Sequence, residues 1–579
     1  MVNAHINKTE TKNINLIIDK RPVSVPEGTT ILDAAKKCGI NIPTLCYLRD
    51  INEIGACRVC LVEIEGGEKL VTACNTMIEE GMVVYTNSKR VRSARRTNIR
   101  LILSQHDANC PNCTRNGNCT LQSLCRDMNI TDRIYEKKLA ENDAPGSFPL
   151  IKEAAKCIKC MRCINVCDKI QSVNAWELRG TGARAAIGAA GGKTISESGC
   201  TLCGQCITHC PVAALKERSD EERVIAALGD PDLITVIQIA PAVRAAWAES
   251  MKLTAEKANV GRLVSLTRAL GFNYVFDTDF SADLTVMEET SELIERLKSG
   301  KKYKYPLFTS CCPAWVTFAK ERFPDAAENL SSTKSPQQMF GAAVKGYFAG
   351  LIGENPSKIF SVSVMPCLAK KKEAADSPNA FENGRDVDAV ITTRELARMI
   401  TSANHDVEAA EEENFDSPLG LASGAGVIFG TTGGVSEAVL RTAYYFITGK
   451  NPSPDCFSNV RENDNGMRKY TIDIAGAKVS LGIASGLRNA RRLIEMIESG
   501  EEHFDIVEIM ACPGGCSGGG GQPIHDGFEL AAQRAEILKT LDCSSEIRFA
   551  HENPSIKRIY DEYYGAPLSE KAHAELHTK

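Results

Sequence analysis

Two short cysteine runs constrain this chain more than anything else in it. Cys157, Cys160, Cys163 and Cys167 form the first, and Cys200, Cys203, Cys206 and Cys210, followed by Pro211, form the second. Both read C-x2-C-x2-C-x3-C, the run that holds a pair of 4Fe-4S cubanes. Three thiolates of a run cap three irons of one cube, and the fourth iron takes its thiolate from the other run. Cys210 is therefore expected to complete the first cluster and Cys167 the second. Disulfides or zinc do not account for the run occurring twice, so the chain is expected to move electrons.

The other bulk properties agree. The chain has 24 cysteines in 579 residues, room for several domains, and 43% hydrophobic content, enough for sizeable cores. A net charge of −5 favours neither nucleic acid nor a membrane surface. The opening residues 1–13 are polar, without an apolar leader core. No apolar run approaches the ~18 residues that span a bilayer. Clustered cysteines without export point to a reducing cytoplasm, where thiols ligate metal and do not pair.

Upstream lie two further donor sets. Residues 13–25 (NINLIIDKRPVSV) have the look of a two-strand hairpin, followed by a short helix in ILDAAKKCG with Thr30 as N-cap and Gly39 as C-cap. Strand, strand, helix and cysteine loop is the opening of a plant-type ferredoxin. Its thiols would be Cys46, Cys57, Cys60 and Cys74, suited to one 2Fe-2S cluster; a four-cysteine zinc site is the alternative. The basic segment SKRVRSARRTNIRLILSQHD places Val91, Ala94, Ile99, Ile102 and Leu103 on one helical stripe, with the arginines on a solvated remainder. That helix leads to His106, Cys110, Cys113 and Cys119, a set that could hold zinc or a 4Fe-4S cluster. Its place between a 2Fe-2S domain and a two-cubane domain favours the cluster. Residues 136–150 read as a connector, and RGTGARAAIGAAGGK between the two runs as a turn-rich excursion, since it lacks the strand–GxGxxG–helix setting of a dinucleotide site.

From about 216 the pattern changes. Apolar runs LITVIQIA, KIFSVSVMP, DAVITT and FDIVEIMAC alternate with amphipathic helices, as in an α/β domain with mainly parallel sheet. The acidic stretch 406–413 reads as a solvated loop. Cys311 and Cys312 (TSCCPAW), Cys367 (MPCLAKKKEA), and Cys512 with Cys516 (EIMACPGGCSGGGGQP) sit on loops after three of these strands. Cys312, Cys367, Cys512 and Cys516 could ligate one more cubane, leaving Cys311 over. The glycines after Cys516 would let backbone approach a bulky inorganic group, and Lys370 would bring a cation to it. Cys38, Cys125, Cys456 and Cys543 match no ligand pattern and read as buried structural thiols.

TSCCPAW, MPCLAKKKE and EIMACPGGCSGGGGQP resemble, in order, the three signature motifs of the FeFe hydrogenases, and the resemblance covers nearly the whole chain to its tail IYDEYYGAP…AELHTK. It implies an H-cluster: a 4Fe-4S cubane joined through one cysteine to a di-iron unit with CO, cyanide and an azadithiolate. On it, Cys312, Cys367, Cys512 and Cys516 are the cubane ligands, and Cys516 is the bridge. Lys370 would hydrogen-bond a cyanide, and Ala240, Pro241, Gln337, Met365 and Met510 would line the pocket. Cys311, Glu289, Ser331 and Glu292 would pass protons, the two glutamates sharing a face if MEETSEL is helical. The expected reaction is the reversible conversion of H2 to two protons and two electrons.

The expected architecture is multidomain α/β and α+β: a β-grasp 2Fe-2S ferredoxin domain at 1–90, a His-ligated 4Fe-4S domain at 91–135 and a connector at 136–150. A two-cubane bacterial ferredoxin-like domain at 151–215 follows, then an α/β H-cluster domain at 216–550 and a small-subunit-like tail at 551–579. The cofactors would be one 2Fe-2S cluster, three 4Fe-4S clusters and one H-cluster. The N-terminal region also resembles the electron-input subunit of respiratory complex I. Flavin- and NAD(P)-binding partners and a small 2Fe-2S subunit are therefore expected, with ferredoxin and electron bifurcation as further options. A stand-alone ferredoxin-dependent hydrogenase is the alternative. A bare electron-relay subunit would have no use for TSCCPAW. An iron–sulfur assembly protein would lack the di-iron pocket, and a sensory hydrogenase would alter Cys311.

Overall fold

The computed structural model describes residues 12–132, 134–142, 146–251, 253–254, 256–300, 303–376, 384–461, 466–474, 476–526 and 529–578. Most of the polar opening stretch at 1–13 and parts of the connector at 136–150 lie outside the described residues. Among the described residues no helix is long and apolar enough to cross a membrane.

The N-terminal unit is a five-stranded sheet of β1 (Asn13–Ile18), β2 (Arg21–Pro26), β3 (Leu61–Ile64), β4 (Val71–Thr72) and β5 (Val83–Tyr85), in the order β2-β1-β5-β3-β4. β1 alternates exposed and buried residues, and Ile14, Leu16 and Ile18 pack on Ile31, Leu32 and Ala35 of the helix Ile31–Lys37. Thr30 caps that helix through its hydroxyl, which accepts the Asp33 N–H at 3.2 Å. The C-cap falls at Cys38; Gly39 follows it at φ +69°, the left-handed position a glycine adopts without strain.

The basic segment forms the helix Lys89–Ser104, with Val91 and Ile99 buried. One arginine departs from the solvated face: Arg95 is buried, and its guanidinium donates twice to the Leu61 carbonyl, at 2.6 and 3.2 Å. Burial pushes its pKa down to about 10. The two-cubane region adds the pairs β6 (Leu150–Lys152) with β9 (Leu215–Glu217) and β7 (Trp176–Arg179) with β8 (Ala186–Ala189), both antiparallel. The Gly/Ala-rich excursion is thus partly a strand, with Ala189 opposite Trp176, Gly188 opposite Glu177 and Ala186 opposite Arg179 across the hairpin.

Two four-stranded sheets build the larger half. One, of β10 (Ile234–Ile239), β11 (Tyr274–Asp277), β13 (Ile359–Met365) and β14 (Ala389–Thr392), is wholly parallel in the order β11-β10-β13-β14. Ile237 and Ile239 pack with Val243, Trp247 and Leu263, whereas Val236 faces Phe276, Phe280 and Phe340. Both faces are covered, which is why these strands read as continuous apolar runs. The other sheet, β12 (Leu307–Phe308), β15 (Met467–Ile474), β16 (Ala477–Ser485) and β17 (Ile506–Met510), is ordered β12-β17-β16-β15, with only β15 antiparallel. The stretch 406–413 is a largely exposed loop, pinned by Lys257–Glu408 (2.7 Å) and Arg268–Glu413 (2.6 Å).

The helix Thr278–Lys298 is the axis of this half. Asp277 caps it, its carboxylate accepting the Asp279 N–H at 2.9 Å, and it packs against helices Pro336–Ala343 and Gly434–Thr448. Fifteen of its residues are buried, Asp279, Asp283, Glu288 and Glu289 among them. It thereby carries several acids into the interior.

The halves meet at glycines. A Cβ on Gly520 would come within 2.5 Å of both the Cys203 carbonyl oxygen and the Gly204 Cα. Since backbone atoms cannot yield as a flexible side chain can, Gly520→Ala should lower stability by about 1–3 kcal/mol. Anaerobic calorimetry of the cluster-loaded variant checks this; an unchanged melting temperature contradicts it.

Candidate functional site

Four strands aim their carboxyl ends at one place. β10 runs into Ala240 and Pro241, β12 into Cys311 and Cys312, β13 through Met365 into Cys367, and β17 through Met510 into Cys512. Proline at the first helical position starts both Pro241–Arg244 and Pro313–Arg322, and Cys312 is the N-cap of the latter. The chain thus leaves each strand in a sharp turn, the usual setting for chemistry in parallel sheets.

The turns bring the predicted thiols together. Cys367, Cys512 and Cys516 lie close enough to Cys312 and one another that, after burial, neighbouring thiols raise their pKa values further. Cys367 is raised to about 11. Cys312 is raised by burial as well, although the Ala511 N–H reaches its sulfur at 3.5 Å. The glycines after Cys516 also meet backbone. Added Cβ atoms at Gly519 and Gly521 would strike the Pro366 oxygen at 2.1 Å and the Cys367 nitrogen at 2.8 Å, so these glycines let the cysteine loops pack on one another.

Lys370 is buried among them. Its Nζ donates to the Cys311 carbonyl (3.0 Å) and to Glu373 (2.9 and 3.1 Å). Burial works against this charge, but Glu373 outweighs it and holds Lys370 above the usual ammonium range. Glu373 also accepts from Gln337 Nε2 (3.0 Å) and Ser335 (2.9 Å), whereas Gln337 Oε1 is buried without a partner. Sequence reasoning missed Glu373. Its signal was the i,i+3 spacing from Lys370 on the helix Ala369–Asp376.

Cys311 and Glu289 face each other electrostatically. Burial and then Glu289 drive the Cys311 thiol well above its ordinary range, so it stays protonated at neutral pH. Burial, then Glu292 and Glu508, raise Glu289 to about 8, partly offset by the Ser331 hydroxyl and the Ser310 N–H. Neither Glu289 oxygen makes a hydrogen bond of full geometry. Ser331 Oγ donates to Glu292 at 2.6 Å. Arg296, one turn further along the helix, carries the line on: the Glu292 charge acts on it, and it bonds Asn329 at 3.1 Å.

The N-terminal donors are grouped as the spacing requires. One cavity is lined by Cys157, Cys160, Cys163 and Cys210, and another by Cys167, Cys200, Cys203 and Cys206. Cys46 pairs with Cys57, and Cys60 with Cys74; within each pair the shared hydrogen bond drives one thiol up and the other down, Cys57 to about 6. His106 is buried, and its Nδ1–H donates to the Lys156 carbonyl at 2.8 Å, which leaves Nε2 as the free donor atom. Burial lowers its pKa, so the ring is neutral, as a ligand must be. Among the described residues no three such donors converge as they would on a single ion. The ligands of a cluster bind separate irons and need no such convergence. The four remaining cysteines are not all buried: Cys456 and Cys543 are exposed and Cys38 and Cys125 half-buried. Cys125 shares the cavity of His106, Cys110 and Cys119.

A parallel-sheet domain with four interior thiols on strand-end loops, reached through chained cysteine clusters, is the architecture of an iron–sulfur enzyme, and on the matches that follow this chain belongs to the iron-only (FeFe) hydrogenases. The C-terminal domain of the iron only hydrogenase large subunit matches residues 233–520, and the iron hydrogenase small subunit matches 528–579. A 2Fe-2S iron-sulfur cluster binding domain matches 11–89, the NADH-ubiquinone oxidoreductase-G iron-sulfur binding region 95–133, and a 4Fe-4S dicluster domain 156–214. The chain is 44% identical to the NADP-reducing hydrogenase subunit HndD of Solidesulfovibrio fructosivorans over 98% of each. It is 38% identical to iron hydrogenase 1 of Clostridium pasteurianum over 97% of this chain and 99% of that one. The solved [FeFe]-hydrogenase HydA1 of Chlamydomonas reinhardtii (variant E141Q) superposes with a TM-score of 0.56 at 37% identity, covering 62% of this chain and 98% of that one.

An acid whose pKa is raised in the fold holds its proton more tightly folded than unfolded. Its contribution to stability is therefore whole below 4.5 and lost as pH rises through about 8. Glu289→Gln should flatten that decline, so its melting temperature relative to the parent should climb from below pH 4.5 through pH 6 and level off only above about pH 8. A protonated carboxyl C=O band should fade near pH 8 in the parent and be missing from the variant. A parent band that does not titrate contradicts this.

Proposed function

We propose that the enzyme passes electrons between the site at the strand ends and partner subunits through four N-terminal clusters. Cys46, Cys57, Cys60 and Cys74 would hold a 2Fe-2S cluster; His106, Cys110, Cys113 and Cys119 a 4Fe-4S cluster; and the two crossed runs one cubane each. Cys312, Cys367, Cys512 and Cys516 would hold the cubane of the H-cluster. The di-iron unit, when bound beyond Cys516, would supply the centre at which H2 is split. The chain's own part is then proton handling and electron delivery. The buried Cys311 thiol gives or takes a proton at the inner end, Glu289 holds it at near-neutral pH, and Ser331 passes it to Glu292. Lys370, Gln337, Ala240, Pro241, Met365 and Met510 would orient the group and exclude water.

One observation carries the electron route: both N-terminal sites lead to the same cubane loop. Asn52 Nδ2 donates to the Cys46 carbonyl (2.6 Å) and to the Cys160 carbonyl (3.0 Å). His106 reaches Lys156, next to Cys157, and Arg115 donates to the Cys210 carbonyl at 2.9 Å. The two entrances thus meet at the first cubane. At the other end the Cys512 thiol reaches the Cys203 carbonyl at 3.7 Å.

Two entrances fit a subunit of an NAD(P)-linked complex, in which flavin-binding and small 2Fe-2S partners dock, and the near full-length similarity to an NADP-reducing hydrogenase subunit favours it. Ferredoxin is then a second carrier, in a bifurcating reaction of a cytoplasmic enzyme. Native purification tests this: co-elution of flavin with further subunits is expected, and a lone chain active with ferredoxin alone overturns it.

Cys311→Ala should keep its iron and its CO and cyanide infrared bands, yet lose roughly 10²–10⁴-fold in turnover, the share of a proton relay. Cys311→Asp, which restores an exchangeable proton, should recover part of it. Asp less active than Ala at equal iron would count against the relay. His106→Cys should keep four irons at its site and lower that cluster's potential by adding charge. Loss of zinc and no iron would show that the site is not a cluster.

A further inference from the structure

The relay serine has no regular secondary structure to hold it. Ser331 lies in an irregular segment, 331–334, yet its hydroxyl must stay between Glu289 and Glu292 for a proton to pass. On one side Glu292 accepts both the Ser331 hydroxyl and, at 3.3 Å, the Ser332 N–H. The other side is closed by the last residues of the chain. Thr578 N–H donates to the Ser332 carbonyl at 2.7 Å and Lys334 N–H to the Leu576 carbonyl at 2.8 Å, so Thr333 and His577 form an antiparallel bridge.

His577 makes this more than a backbone contact. Its Nε2 lies 3.0 Å from Glu288, and its Nδ1 2.8 Å from the Ser332 hydroxyl. A carboxylate only accepts, so Nε2–H donates to Glu288, and Nδ1 shares the second hydrogen bond with the Ser332 hydroxyl. Glu288 is itself fixed, accepting Tyr560 OH at 2.5 Å and the Leu568 N–H at 2.9 Å. Glu288 stands on the helix that carries Glu289 and Glu292. The hydrogen bonds therefore close a ring: helix, Glu288, His577, Ser332, Ser331, Glu292 and helix again. A ring of this kind fixes the serine relative to both relay carboxylates.

We propose that His577 is a positioning residue for proton transfer, and that the C-terminal segment is a working part of the relay. This rests on the hydrogenase reading with Ser331 in the proton route. It predicts that His577→Ala, in the full matured enzyme, keeps wild-type iron and infrared bands and an unchanged KM for H2. Turnover should fall about 10-fold, within the roughly 10²-fold that a ~1 Å misplacement costs. The solvent isotope effect should rise, because proton transfer becomes limiting. His577→Asn, which can still reach Ser332, should recover much of the turnover. In protein carrying its cubanes but no di-iron unit, amide exchange over 332–334 should quicken in H577A. Unchanged turnover and isotope effect overturn the proposal, as does a loss of turnover that only tracks lost bands. Wild-type enzyme with neither bands nor turnover would sink the hydrogenase reading together with this one. Active wild type beside an equally active H577A would sink this one alone.

Discussion

The structure depends on keeping sulfur ligands in the dry interior while arriving there from separate loops. A thiolate out of water is costly unless a metal takes its charge, and burial here drives most of these thiols above their ordinary range. Iron binding must therefore expel protons, and the free energy of cluster binding adds to that of folding. The surroundings repeat the theme. One apolar cluster runs from Leu45 and Val59 through Ile99, Trp176 and Leu202 to Trp315, Leu368 and Val507, so the cysteine loops share a single continuous interior.

What joins the loops is mostly backbone recognised by a few long polar side chains. Arg162 illustrates this: its guanidinium donates to the Tyr47 carbonyl (3.1 Å) and the His209 carbonyl (3.3 Å) and pairs with Asp526 (2.6 Å). One residue thus ties the 2Fe-2S loop, the second cysteine run and the catalytic half. Lys371 does the same beneath the site, fully buried between Asp220 and Glu395 at 3.0 Å each. Such buried ions are held by several partners at once, and removing one partner leaves the others uncompensated. Rigid junctions also suit electron transfer, since the distance between clusters then stays constant.

The proton side is built differently. A single helix, Thr278–Lys298, places Glu288, Glu289 and Glu292 within about one turn of each other, and environment divides their labour. Glu288 is bound by three donors and serves as an anchor. Glu289 has no full partner and burial, with Glu292 and Glu508, drives it to about 8. Glu292 touches Ser331 and lies nearer the surface. The two sides of the site are therefore opposite constructions: chained cysteine loops on one side, one acidic helix and a strapped serine on the other.

The sequence by itself determined which residues are candidate donors, because ligand spacing along a chain is a local property. C-x2-C-x2-C-x3-C twice, H-x3-C-x2-C-x5-C and the three signature motifs were all legible, as were the hairpin at 13–25 and the strands ending at Ile239, Met365 and Met510. Only the tertiary structure decided what those residues face. That Arg95 is buried on a carbonyl, that the glycines after Cys516 meet backbone, and that Cys456 and Cys543 are exposed depend on neighbours distant in the chain. Glu373 lay in plain view, but its role appears only when Lys370, Gln337 and Ser335 converge on it. His577 shows the limit most clearly. Glu288 is 289 residues away in sequence, and spacing carries no information about a contact that only the closed fold creates.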